Sequence, residues 1–385
     1  MLQQPSKWVD AVHHPSSSFI SLGRSRMPPQ ALRILTLDGA GIKGLSELFI
    51  LQHLFDKVKG ITGLRDIQPC DVFDLIAGSS TGGLNAIFLG RMAMSVEDAI
   101  KAYESVGKKV FVSPKTAASI DGGAKRFLKK LAAGPTQSKT RALMESMMGV
   151  LADQAPMGGG DLGARFCVED KIEDEEYNDD HSWRVMITVT RKATNEPDLL
   201  RNWRTGAEGQ RNYSCAVWEA AGAVCATPTY FPDHVRFELH GDRLFGVGRD
   251  RANPVREALA EMKREKSFAN KSVACLVSVG AGKVQPDGIL GDKLETAMEM
   301  MISAEEEAEK FVASKEGDDL KVSGRYFRFN PPLTMQELAL DECNQNESVK
   351  VVIDKYIQHP NNQKMFEECA QLIASTVRVV SGKVK

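Results

Sequence analysis

Two apolar runs in the first hundred residues each stop at a cluster of glycines and then give way to apolar residues at helical spacing. Residues 34–37 (ILTL) end at Asp38 and the turn Gly39-Ala40-Gly41-Ile42-Lys43-Gly44, after which Leu45, Leu48, Leu51, Leu54 and Phe55 recur along one helical face. Residues 72–77 (VFDLIA) end at Gly78-Ser79-Ser80-Thr81-Gly82, followed by a helix-like segment over 84–94. A strand that feeds directly into a helix returns to the sheet as a parallel neighbour, so two such units in tandem predict a parallel sheet with crossover helices. Residues 185–190 (VMITVT) and 273–279 (VACLVSV) are apolar throughout, as strands covered on both faces must be. The expected fold class is α/β, a three-layer sandwich with a mostly parallel central sheet.

The chain of 385 residues, 42% hydrophobic, is long enough for one large domain with appendages. Residues 1–32, rich in Ser, Pro and His, read as an N-terminal arm. The main domain is expected over 33–345, with 95–182 as a helical insertion and lid and 346–385 as a C-terminal helical extension. Within those regions 302–314 and 347–380 carry helical patterns, and no repeat of 20 to 50 residues is present. Forty-nine basic against fifty-one acidic residues leave a net charge of −2, which supplies no basic field for nucleic acid. The acidic stretch at 169–180 reads as a solvated loop. The seven cysteines form no C-x-x-C pair and no zinc-like spacing. With no apolar run of about 18 residues, the expectation is a reduced, cytoplasmic setting with at most peripheral membrane contact.

Gly78-Ser79-Ser80-Thr81-Gly82 matches G-x-S-x-G where a strand meets a helix, the setting in which that short motif carries chemistry. Glycines two positions either side let the backbone turn sharply and present the Ser80 hydroxyl at the top of the sheet. The following helix brings its N-terminal amides toward developing negative charge. The first glycine turn has two readings. Gly39, Gly41 and Gly44 satisfy G-x-G-x-x-G, the dinucleotide fingerprint, which also requires an acidic residue about 20 positions on at a strand end; Asp56 and Asp66 do not fit. Alternatively the loop aims the amides of Gly39, Ala40 and Gly41 at an oxyanion, with Lys43 adding positive charge. The second reading ranks higher because Ser80 follows on the next strand.

Asp38-Gly-Ala-Gly-Ile-Lys-Gly44 followed by the serine turn resembles the paired motifs of patatin-like phospholipases, D-G-G-G-x-[RK]-G and G-x-S-x-G. The likeness extends over about 33–345. Residues 218–232 (WEAAGAVCATPTYFP) are similar to the family's alanine-rich segment, Asn253-Pro254 to its N-N-P, and VSVGAGK to its S-I-G-T-G strand. YFRFN at 326–330 and LDE at 340–342 resemble fungal members. The resemblance implies a Ser–Asp dyad, no metal or organic cofactor, and a phospholipid or glyceride substrate. No histidine is needed, which suits a chain whose histidines form no pattern. His359 alone keeps a Ser, acid, His order open.

The family's aspartate stands seven residues before the asparagine that precedes proline, and that position here is Gly246, in the sequence Phe-Gly-Val-Gly-Arg-Asp. Asp250 is the candidate substitute base, although Arg249 and Arg251 beside it favour its ionised form and weaken it as a base. Asp242 is a poorer candidate, since it would have to reach several residues along the chain. The competing expectation is a catalytically impaired member that binds lipid or a protein partner.

Overall fold

The computed structural model describes residues 31–39, 41–110, 145–147, 149–150, 165–167, 184–226, 237–239, 242–246, 251–266, 268, 270–284, 292–333, 345–377, 379–380 and 383–384. The elements that build the site are β1 (Ala31–Leu37), α1 (Leu45–Thr62), β2 (Leu75–Ser79), α2 (Ser80–Ala86), α3 (Val96–Val110), β3 (Arg184–Arg191) and β4 (Glu196–Arg201). They continue with α4 (Val217–Cys225), β5 (Phe237–Leu239), β6 (Asp242–Gly246), α5 (Val255–Arg264), β7 (Ser272–Val279), α6 (Asp292–Val312), α7 (Lys315–Val322), β8 (Tyr326–Phe329), α8 (Gln345–Gln358) and α9 (Pro360–Thr376).

These strands form one eight-stranded sheet in the order β5-β6-β3-β2-β1-β7-β8, with β4 also on β3. Pairing is parallel from β3 through β2, β1 and β7 to β8. It is antiparallel where β4 and β6 join opposite edges of β3 and where β5 joins β6. Alternation along β1 decides the layers. Leu35 and Leu37 enter a core with α1, α4, α8 and α9, whereas Leu32 and Ile34 enter a second core with α5, α6 and α7. The sheet is therefore covered on both faces, as its apolar strands require, and the three-layer α/β architecture is the one expected.

The differences from expectation have local causes. The apolar run at 72–77 is not all strand: Pro69–Val72 is a helical turn, with Pro at its start and a reciprocal cap between Gln68 and Asp71, and β2 begins at Leu75. The helical pattern at 347–380 is broken between α8 and α9, where Pro360 lacks the amide that would continue the first helix and instead starts the second. Phe366, Cys369 and Ile373 of α9 lie in the same core cluster as α1, and Phe366 stacks on Phe329 of β8 at 4.3 Å between ring centres. Of the region 95–182, α3 is helical, and most of the remainder lies outside the described residues. No helix among the described residues is long and apolar enough to cross a membrane.

Candidate active site

The two glycine turns stand side by side because β1 and β2 are paired in register, Leu37 against Gly78. Their glycines are needed for that approach. A methyl group at Gly82 would strike the carbonyls of Leu37 and Asp38, and one at Gly39 would strike Ser79 and Ser80. One at Gly78 would strike Gly82 and Gly83 of the following turn, and one at Gly44 would come within 2.7 Å of the Tyr103 hydroxyl. Gly39 and Gly44, two of the three glycines of the G-x-G-x-x-G pattern, are thus explained by packing against the serine turn and α3.

Ser80 is buried and adopts φ +48°, a left-handed conformation that costs a non-glycine residue about 1–3 kcal/mol. Ser79 before it is extended, at φ −121°, and Ser80 is the first residue of α2. The chain therefore reverses from strand to helix in one step at Ser80, and the strain is stored at the residue singled out by the motif.

A second segment closes over both turns. The Ser79 hydroxyl donates to the carbonyl of Arg251 at 2.9 Å, and the Gly39 amide donates to the carbonyl of Ala252 at 3.2 Å. Asn253 is buried and its side chain accepts from the Val255 amide at 2.9 Å, which fixes the start of α5. The Gly39 amide, one of the expected oxyanion donors, is thus bonded to the protein in this arrangement. Ala40 lies outside the described residues. Gly41 opens the short 3-10 turn Gly41–Gly44, and Lys43 within it is buried.

Position 246 follows from the register of β3. One edge of β3 pairs with β4 over Met186 to Arg191. The other edge carries β2, up to Ser79 opposite Thr188, and then β6, starting with Gly246 opposite Val189. Gly246 thus occupies the next place after Ser79 along the same edge, about 3.3 Å further along the strand. Its amide donates to the Ala226 carbonyl at 2.9 Å, and the residue is buried. Asp250 lies outside the described residues.

Behind the first turn lies a buried ionic network. Arg328 of β8 donates to Asp38 at 2.6 Å, to Glu305 of α6 at 3.2 Å and to the Ser278 hydroxyl at 3.0 Å. Asn330 donates to Glu305 at 2.7 Å and accepts from the Gly282 amide at 2.9 Å. Burial pushes the Asp38 carboxyl up to about 6, with the Arg328 guanidinium pulling the other way. Glu47 of α1 is fully buried, accepts from Asn85 of α2 at 2.8 Å, and is held well above the usual carboxylate range by burial and then by the nearby Asp38. These shifts have a sign: a folded state that holds protons more tightly than the unfolded chain loses stability as pH rises. We expect Glu47→Gln, which copies the protonated form, to flatten the fall in melting temperature that sets in as pH rises above the ordinary carboxylate value of 4.5. An unchanged pH profile would mean that Glu47 is ionised in the native protein.

Arg328, Glu305, Asn330 and Glu47 were not among the residues expected from the motifs. The available signal was a charged residue inside an otherwise aromatic strand, Tyr-Phe-Arg-Phe, which must find a buried partner. Among the described residues no group of three or more His, Cys, Asp or Glu side chains is arranged to hold a metal ion.

The model for the patatin-like phospholipase family matches residues 35–259, more than half of the chain. Phospholipase A I of Arabidopsis thaliana is 26% identical over 398 residues, spanning 91% of this chain and 28% of that protein. Calcium-independent phospholipase A2-gamma of Oryctolagus cuniculus is 25% identical over 369 residues, spanning 92% of this chain and 42% of that protein. A cGAMP-activated phospholipase of Vibrio cholerae is 25% identical over 256 residues, spanning 65% of this chain and 64% of that protein. The chain thus covers less than half the length of the first two of these relatives. The family match begins in β1, takes in both glycine turns, position 246 and the segment that closes over them, and ends within α5. This chain belongs to the patatin-like phospholipase family.

Proposed function

We propose that the chain is a serine lipid acyl hydrolase acting on the acyl esters of phospholipids or glycerides. Ser80 is the nucleophile, and the position that the base would normally occupy, 246, is filled by glycine. The observation that carries this reading is the strained φ of +48° at Ser80 with position 246 next in line along the same edge of β3. The relatives' names, phospholipase A and phospholipase A2, support lipid esters as the substrate class.

In the proposed reaction the Ser80 oxygen attacks the acyl carbonyl, the alcohol leaves, and water hydrolyses the acyl-enzyme. The amides of Ala40 and Gly41 receive the oxyanion, while Gly39 anchors their loop to Ala252. Asp38 and Arg328 hold the base of that loop. Asp250, one residue before the Arg251 carbonyl that accepts from Ser79, is the proposed substitute base. Residues 95–182 are proposed as the cover of the acyl chain, and contact with a membrane surface as peripheral.

Gly246 itself favours a second reading, a non-catalytic lipid- or partner-binding member. Fatty-acid release from phospholipid by the native chain, Ser80→Ala and Gly246→Asp separates the two. A native rate above that of Ser80→Ala supports the hydrolase. A native rate equal to it, with activity gained by Gly246→Asp, supports the binding module. Three equally inert, folded proteins would overturn the assignment of the site.

A further inference from the structure

A cavity of about 500 Å³ opens between the far end of the β3–β4 hairpin, the loop at 209–211 and α5. Its described wall carries five arginines, Arg191, Arg211, Arg251, Arg256 and Arg264, against two carboxylates, Asp198 and Glu257. The volume falls in the ordinary range for small-ligand sites. Five guanidinium groups around one cavity repel one another unless an anion is shared among them. Their planar, multi-donor geometry matches phosphate oxygens, and phosphate offers several guanidinium groups more acceptors and more charge than a carboxylate does.

The ion pairs already present do not use up the donors of Arg191, Arg251, Arg256 and Arg264. Arg251 spends one nitrogen on Glu257 at 2.7 Å, and Arg191 pairs with Glu196 and lies 3.4 Å from Asp198 while its buried Nε makes no hydrogen bond. Arg256 approaches Glu307 only to 3.7 Å. Arg264 approaches Glu261 only to 3.9 Å, and that carboxylate is already held at 2.9 Å by the buried Arg201. Among the described residues neither Arg256 nor Arg264 donates a hydrogen bond to a protein group within 3.5 Å. Both project from α5, two helical turns apart, on the face that lines the cavity.

The cavity adjoins the candidate active site. Thr188 in its wall is the register partner of Ser79, and Arg251, also a lining residue, supplies the carbonyl that accepts from the Ser79 hydroxyl. We propose that this cavity is a binding site for a phosphate-bearing anion, held by Arg256 and Arg264 together with Arg191, and that a phospholipid headgroup phosphate is its natural source. The source, though not the anion site, rests on the lipid-ester reading above.

The test measures equilibrium binding on the Ser80→Ala protein, so that neither turnover nor the identity of the base enters the result. Calorimetry with inorganic phosphate and with glycerol phosphate, and co-sedimentation with phosphatidylcholine vesicles with and without phosphatidic acid, are compared for this protein and for one carrying Arg256→Gln and Arg264→Gln. Both arginines are half-exposed, so the substitutions leave the cores intact; circular dichroism verifies this. Binding is expected to weaken by at least about tenfold per arginine removed and to fall with added salt. Lys263→Gln, on the same helix and paired with Glu316 outside the cavity, is expected to change nothing. Arginine-dependent capture by acidic vesicles supports the site with a headgroup as its source. Equal, arginine-dependent binding of both soluble phosphates without vesicle capture supports it with a free phosphate as the source. Absence of binding, or binding indifferent to the two arginines, overturns the proposal while leaving the hydrolase reading standing.

Discussion

Gly246→Asp is expected to raise fatty-acid release from phospholipid by about 10²- to 10⁴-fold over the native chain, the usual contribution of a positioned general base. The prediction rests on register. β2 ends with Ser79 opposite Thr188, and β6 takes over the same edge of β3 with Gly246 opposite Val189, because β4 already occupies the other edge. A carboxylate at 246 would therefore begin one strand position from the serine turn, within side-chain reach of a hydroxyl on the next residue. The backbone at 246 is anchored to Ala226, and the position is buried, so a carboxylate placed there would be partly desolvated and a stronger base than one in water. Asp250→Asn should lower the residual rate of the native chain yet leave Gly246→Asp unaffected, since the new base makes the substitute redundant. A folded Gly246→Asp protein with no gain would remove position 246 from the site and shift attention to the segment after it.

How much of this was legible beforehand follows the range of each interaction. The strands at β1, β3 and β7 and the turns at Gly39 and Ser80 were readable because apolar runs and glycine clusters report local conformation. The missing aspartate was readable by counting back from Asn253-Pro254. Its place in the sheet was not, because nothing in residues 237–246 tells which edge of β3 they will join. The same holds for Arg328. A charged residue in an aromatic strand announces a buried partner, but only the fold reveals that the partner is Asp38, 290 positions away in the chain, beneath the glycine loop. The partner of the Gly39 amide was hidden for a related reason. The loop was read as a free set of donors, whereas the segment at 251–253 folds across it and takes one of them. The glycines at 39, 44, 78 and 82 were read for turning and exposing backbone. Much of their necessity is steric: a β-carbon at 39 or 82 would strike the neighbouring turn, one at 78 its own turn, and one at 44 the Tyr103 hydroxyl.

Ser80 offers the second large effect, and one in which stability and activity move in opposite directions. In the Gly246→Asp background Ser80→Ala is expected to lower the rate by at least about 10³-fold, because a base without its nucleophile contributes almost nothing and members of one catalytic unit do not act additively. In the native background the same change should abolish labelling by a fluorophosphonate probe. Ser80→Gly should be equally inactive but folded more firmly. Alanine keeps the β-carbon and so keeps the left-handed strain at φ +48°, whereas glycine adopts that conformation freely. Against this stands the greater freedom glycine gives the unfolded chain, so the net gain over Ser80→Ala should be about 1 kcal/mol, read as a shift in the urea midpoint without a change in slope. If Ser80→Gly were no more stable than Ser80→Ala, the turn would not be strained, and the principal physical argument for Ser80 as an activated nucleophile held at the strand-to-helix turn would fall, whatever the activity data showed.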